Sequence, residues 1–236
     1  MTGLARRQQE TQRPASGFAE TGTRPGAEAL VEVDDGPPSV FRQLLGEAGW
    51  RRLHPEVRRR FGVEAEATHH YAGFMSELRL SRLGWLLAQA CRLIGTPLAP
   101  YRGRDVPVLA RVHRDGRRGG TAWERFYCYP GRQPIRVAST KVYDEAAGLM
   151  EMVVGGLGMY LELSEREGAI CFESRGYFWQ VFGRRLPLPD LLTPGRTLVS
   201  HAEAGGGFFR FTLEMTHPVF GETVFQTGLF SEMSEA

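Results

Sequence analysis

The chain has 236 residues, 42% of them hydrophobic, which is enough to fill a sizeable core and excludes a fibrous repeat or wholesale disorder. Twenty-nine basic against 27 acidic residues leave a formal charge of +2, without the concentrated positive field that a phosphate backbone demands, so no nucleic-acid partner is expected. Cys91, Cys128 and Cys171 stand far apart, with no CxxC pair and no histidine at ligand spacing, which argues against a disulfide framework and a structural metal.

Residues 1–36 carry Gln, Thr, Gly, Pro and Arg and hardly any large apolar side chains, so they read as a disordered leader ahead of one domain over 37–236. The leader has no apolar stretch of signal-peptide type, and nothing later approaches the run of about eighteen apolar residues that crosses a bilayer. A cytoplasmic chain with no integral membrane segment is expected. Ser39 is placed to cap a helix whose apolar positions Val40, Phe41, Leu44 and Leu45 end at Gly46. A second short helix starts at His54-Pro55, with Pro55 in its first turn, and stops at Phe61-Gly62. A strand around Ala67–Met75 follows. Leu80, Leu83, Leu87, Ala90, Cys91 and Ile94 then form one helical stripe, closed by Gly95-Thr96-Pro97.

From Val106 onward the period is two. Strands are expected at Val106–Arg114, Thr121–Tyr129, Ile135–Asp144, Leu149–Val154, Leu157–Glu165, Ala169–Glu173, Tyr177–Phe182, Arg196–Ala204, Phe208–His217 and Glu222–Phe230. Turns fall at Asp115-Gly116, Gly148, Glu167-Gly168, Gly205-Gly206-Gly207 and Phe220-Gly221. The fold expected is α+β: a curled antiparallel sheet or partly closed barrel of about eight to ten strands, with two or three N-terminal helices packed on or plugging it. Phe209, Phe211, Leu213 and Met215 share one face, as do Leu157, Met159, Leu161 and Leu163. Aromatic residues concentrate after residue 120, which fits either a large core or an apolar ligand cavity.

Three clusters offer chemistry. Trp123, Glu124 and Arg125 share a strand, and Lys141, the only lysine, lies within hairpin reach; a carboxylate beside two cations makes a held general base, an anion clamp or a cross-strand ion pair. Alternation sets Arg125 with Trp123 and Tyr127, opposite Glu124. His201 and Glu203 lie on one face and suit proton transfer near neutral pH, or are polar residues near a turn. A turn at the three glycines puts His201 beside Phe211 and leaves His217, which precedes Pro218, at a corner. His69-His70 point opposite ways on a strand and cannot chelate one ion unaided. The Leu80–Ile94 helix, with Trp85, either packs on the sheet or lies on a membrane. No nucleotide-binding, hydrolase or metalloprotease motif is present, and Gly155-Gly156-Leu157-Gly158 reads as a bulge.

The run Trp123-Glu124-Arg125-Phe126 resembles an uncharacterised domain family often found fused C-terminal to saccharopine-dehydrogenase-like NAD(P)-binding domains. The resemblance continues through Ser139-Thr140-Lys141, Glu151, Gly155-Gly156-Leu157-Gly158, Leu186-Pro187-Leu188-Pro189 and Leu192-Thr193-Pro194-Gly195. It is strongest at Phe209-Arg210-Phe211 and His217-Pro218-Val219-Phe220-Gly221, and covers about residues 39–231. It implies an association with reductase-type domains; with no dinucleotide-binding half read ahead of the domain in this sequence, the expected reductase partner is a separate NAD(P)-binding protein.

Three functions follow as expectations. The first is binding of an apolar or amphipathic small molecule in the sheet, in a biosynthetic or lipid pathway, with Trp123, Arg125, Lys141, Phe209, Phe211 and His217 as contacts. The second is a cofactor-independent isomerase or cyclase using His201 and Glu203. The third is a non-catalytic partner of a reductase. No cofactor or metal is expected in any of them.

Overall fold

The computed structural model describes residues 38–62, 67–95 and 98–233; the leader expected over 1–36 lies outside them. Helix α1 (Val40–Arg52) starts where Ser39 Oγ accepts the Arg42 N–H at 3.3 Å. It does not stop at Gly46. That residue takes φ 65°, a conformation open to glycine, so the chain kinks and resumes its helix. Helix α2 (Pro55–Gly62) opens on its proline as expected.

Strand β1 (His69–Leu80) runs past Met75, with a register shift between Met75 and Glu77. The next helix therefore starts later than its apolar stripe suggests. Ser81 Oγ accepts the Gly84 N–H at 3.1 Å and caps α3 (Arg82–Cys91), which a short 3-10 turn extends. Ten further strands follow: β2 (Val106–Asp115), β3 (Gly120–Tyr127), β4 (Ile135–Asp144), β5 (Gly148–Met152), β6 (Leu157–Arg166), β7 (Ala169–Val181), β8 (Arg184–Leu188), β9 (Arg196–Gly205), β10 (Phe208–His217) and β11 (Gly221–Glu232).

All pairings are antiparallel. The order β6-β5-β4-β3-β2-β1-β11-β10-β9-β7 closes on itself because β6 also pairs with β7, from Leu157↔Trp179 to Arg166↔Ala169. Ten strands thus form a closed barrel, and β8 is an extra strand on β7. The two strands expected at Ala169–Glu173 and Tyr177–Phe182 are the single β7; Gly176 (φ 139°) and a register shift opposite it absorb the irregularity. The first half of β7 pairs with β9 and its second half with β8, a strand absent from the pattern reading.

Antiparallel order sends the chain ends of the strands to two rims. Helices α1 and α2 sit at one rim, where the His54 N–H donates to Gly168 O in the β6–β7 turn at 2.9 Å. Trp50, Leu53, Val57 and Phe61 of these helices enter the same core as Tyr71, Phe172, Phe209 and Phe230 of the barrel, so the helices plug that mouth. Helix α3 lies at the other rim. A Cβ on Gly84 would come within 1.9 Å of Thr223 O, so glycine is what lets the α3 backbone rest directly on β11. Inside, the faces expected for β6 and β10 point inward and pack in the core. Barrels of about eight strands just fill with side chains; ten leave room.

Candidate functional site

Two of the cavities bordered by described residues lie inside the barrel, and Lys141 lines both. The one beneath α1 and α2, about 240 Å³, is bordered by Arg60, Phe61, Trp123, His201 and Phe209. The one toward α3, about 310 Å³, is bordered by Leu87, Leu157, Met159, Leu213 and Met215, with Arg125, Ser139, Glu151 and Tyr177 as its main polar groups.

In the α3-side cavity the polar groups converge from neighbouring strands. Register pairs Lys141 of β4 directly with Glu151 of β5, and Lys141 Nζ donates to Glu151 Oε2 at 3.1 Å; the side chains are 3% and 11% exposed. Nζ also lies 4.9 Å from the Trp123 ring centre and 5.0 Å from that of Phe172. Burial pushes the lysine pKa down and Glu151 opposes this, with Arg125 adding to the depression. Burial pushes the Glu151 carboxyl up, but Lys141, Ser139 and Arg125 outweigh it and keep the group ionised. Lys141 and Glu151 therefore neutralise each other.

Arg125 is the remaining charge in this cavity. Its guanidinium stands 4.8 Å from the centre of the Phe211 ring, and among the described residues no carboxylate comes within ion-pair distance of it. A ring face offers a cation about 0.5–2 kcal/mol, less than an ionised hydrogen-bond partner does. The expected clamp of Glu124 with Arg125 and Lys141 does not form. Glu124 points to the outer face, as alternation requires, and is held there by Arg111 and Arg136. Although its burial acts to raise the pKa, the hydrogen bonds from Arg136 and Arg111 keep it low.

In the plugged cavity His201 is buried among Phe61, Trp123, Phe209 and Phe211, with ring centres 5.2–5.9 Å away. It sits opposite Phe211 in the ladder. Burial holds its pKa well below the ordinary 6.5, and Arg60, Lys141 and Arg125 push the same way, so the ring is neutral. Glu203 does not pair with it. That carboxylate accepts the Gly205 N–H at 3.0 Å and faces Arg60 Nη2 at 3.7 Å, and it borders neither cavity. Arg60, 4.0 Å from the centre of the Phe209 ring, keeps Nη1 buried without a hydrogen-bond partner, as Trp123 does its indole N–H.

His217 is a corner residue. It is fully buried, its Nδ1 accepts the N–H groups of Val219 and Phe220 at 3.1 and 3.3 Å, and it lines neither cavity. The structure therefore gathers Arg125 and Lys141 in one cavity, Trp123, His201, Phe209 and Lys141 in the other, places Phe211 beneath Arg125, and sets His217 and Glu203 apart. Glu151, Arg60 and Tyr177 are the polar groups that the sequence reading missed as site residues. Glu151 appeared there only within the family resemblance, without a role. Among the described residues no cluster of histidine, cysteine and carboxylate side chains is arranged to hold a metal, and no helix is long and apolar enough to cross a membrane.

A family model described as a domain of unknown function, DUF4166, matches residues 53–230. The Uncharacterized protein YndH of Bacillus subtilis (strain 168) is 22% identical over 204 residues, a match covering 82% of this chain and 97% of that protein. No solved structure gives a significant match.

Proposed function

The chain belongs to the DUF4166 family, and from that premise we propose that its barrel binds a small amphipathic anion, with an apolar tail in the α3-side cavity and a carboxylate on Arg125. The observation that carries this reading is the inward-facing Arg125 guanidinium without a carboxylate, beside a Lys141–Glu151 pair that is already complete. A cation in an apolar enclosure is costly until it is paired. One bound anion completes its coordination, and a planar carboxylate suits the guanidinium fork. The surrounding Leu157, Met159, Leu213 and Met215 favour an alkyl or similarly apolar tail. About 310 Å³ holds roughly ten water-sized atoms at about 30 Å³ each, the size of octanoate.

Calorimetric titration with octanoate, octanol and octylamine tests the reading. Octanoate binds best, octanol weakly and octylamine not at all. Arg125→Met weakens octanoate by about 10- to 100-fold, the worth of hydrogen bonds to a charged group, and leaves octanol unchanged. Equal affinity of the three compounds, or an unaltered octanoate affinity in Arg125→Met, overturns the anion. Failure of all three to bind overturns the cavity as a binding site for molecules of this size.

A further inference from the structure

The two rims of the barrel differ in what their turns expose. At the rim carrying α1 and α2 the turn tips are Gly116 to Gly119, Glu145-Ala146, Glu167-Gly168 and Gly206-Gly207, none of which presents a large apolar side chain. At the α3 rim, segments far apart in sequence each expose one. Trp85 and Leu93 come from α3 and the turn after it, Val154 from the β5–β6 turn, Phe182 from the β7–β8 turn, Leu192 from the segment before β9, and Phe220 from the β10–β11 turn. Phe182 is the sharpest case. It is 100% exposed and, with φ 48°, occupies a backbone conformation that favours Asn or Gly; Gly183 beside it has φ 76°. The fold gains no burial from a phenylalanine at this tip.

The same rim carries arginines without acidic partners. Arg82, Arg92, Arg132 and Arg184 have no carboxylate within ion-pair distance among the described residues, and Asp105, Asp190 and Glu214 are acids near this rim that stand outside the ion pairs. Other arginines are paired, at this rim Arg79 with Glu222, Arg104 with Glu77 and Arg196 with Glu173, and toward the other rim Arg52 with Glu165 and Arg59 with Glu232, where Arg117 and Arg118 have no carboxylate within ion-pair distance among the described residues. Exposed aromatic and aliphatic side chains interspersed with unpaired guanidinium groups match an anionic lipid surface. The apolar groups enter the headgroup boundary, and the arginines meet the negative surface potential. We propose that the α3 rim docks this domain onto an anionic bilayer. Leu87 and Cys91 of α3 and Pro194 before β9 line the α3-side cavity, so docking would bring that cavity close to the lipid. The docking proposal stands on the surface alone and does not depend on what the cavity holds.

Vesicle flotation of the full chain tests it, with phosphatidylcholine vesicles and with equal-part phosphatidylcholine–phosphatidylglycerol vesicles. The protein floats with the mixed vesicles and much less with the neutral ones. Combining Phe182→Asp with Leu93→Asp, both at freely exposed positions, lowers partitioning by at least about tenfold, since each removes an apolar side chain that the lipid would bury. Arg184→Glu with Arg92→Glu removes the preference for the anionic vesicles. Leu109→Asp, exposed on the barrel wall, changes nothing. The proposal is overturned if the wild-type chain floats with neither vesicle, if Phe182→Asp with Leu93→Asp floats as well as wild type, or if those substitutions abolish a dimer in solution and leave flotation untouched.

Discussion

Replacing Glu151 by leucine removes the carboxylate that neutralises Lys141, whose side chain is 3% exposed, and leaves the lysine facing Arg125 alone. Breaking a buried pair from one side costs about 3–5 kcal/mol. The cost has a ceiling, because the amine can shed its proton. At pH 7 that step costs a lysine of ordinary pKa, about 10.4, about 5 kcal/mol. Burial already pushes the Lys141 pKa down, and without Glu151 the folded protein holds a neutral amine while the unfolded chain still binds the proton. Stability of the variant therefore rises with pH by up to about 1.4 kcal/mol per unit until the ordinary lysine pKa is reached. Urea unfolding at pH 7 and again above pH 9 should show a large deficit that narrows. Lys141→Met costs less, because Arg125 still faces Glu151. The double variant Lys141→Met with Glu151→Leu returns to within about 1–2 kcal/mol of wild type, as apolar replacement of a buried pair commonly does. A loss below about 1 kcal/mol for Glu151→Leu, with no pH dependence, would refute the pairing and the charge count built on it.

His201 gives an acid-side counterpart. Its folded pKa is depressed, so below about pH 6.5 the unfolded chain takes up a proton that the fold refuses, and wild-type stability falls by up to about 1.4 kcal/mol per unit. His201→Leu flattens that limb of the urea-midpoint profile; parallel wild-type and variant profiles would discount it. Tyr127→Phe removes the buried hydrogen bond to Gln226 Oε1, 2.8 Å long, and should cost about 1–3 kcal/mol in chemical unfolding. Gly84→Ala drives a methyl group into Thr223 O, so α3 must lift from β11. The expected loss is at least about 1–3 kcal/mol, together with weaker octanoate binding, and an unperturbed variant would contradict the close seating of the helix.

Most of the barrel was legible because its strands alternate cleanly and glycines mark their turns. The three glycines Gly205 to Gly207 at the end of β9 sufficed to place His201 opposite Phe211, the pairing found in the ladder. Strand β8 was not legible. Arg184-Arg185-Leu186-Pro187-Leu188 is short, contains a proline and is held by one neighbour, so its extended form comes from β7 and not from its own pattern. Glu151 was hidden for a different reason. Met150 and Met152 pack outward with Phe178, while Leu149 packs inward, so β5 is apolar on both faces and its alternation names no interior. The Glu124 partners depend on register between strands: Arg111 lies directly opposite in β2 and Arg136 diagonally in β4. Parity put Glu124 on the correct face without saying which arginines would meet it.

The most direct test of the account follows octanoate labelled at its carboxyl carbon by NMR while the pH is lowered in the presence of the protein. Bound beside Arg125, the carboxyl keeps its ionised chemical shift well below the pH at which the free acid titrates, and Arg125→Met returns that titration to the solution value or above it, since an opposite charge favours the ionised form and an apolar enclosure the neutral one. A bound carboxyl that titrates as the free acid does, in wild type and variant alike, would contradict Arg125 as the anchor.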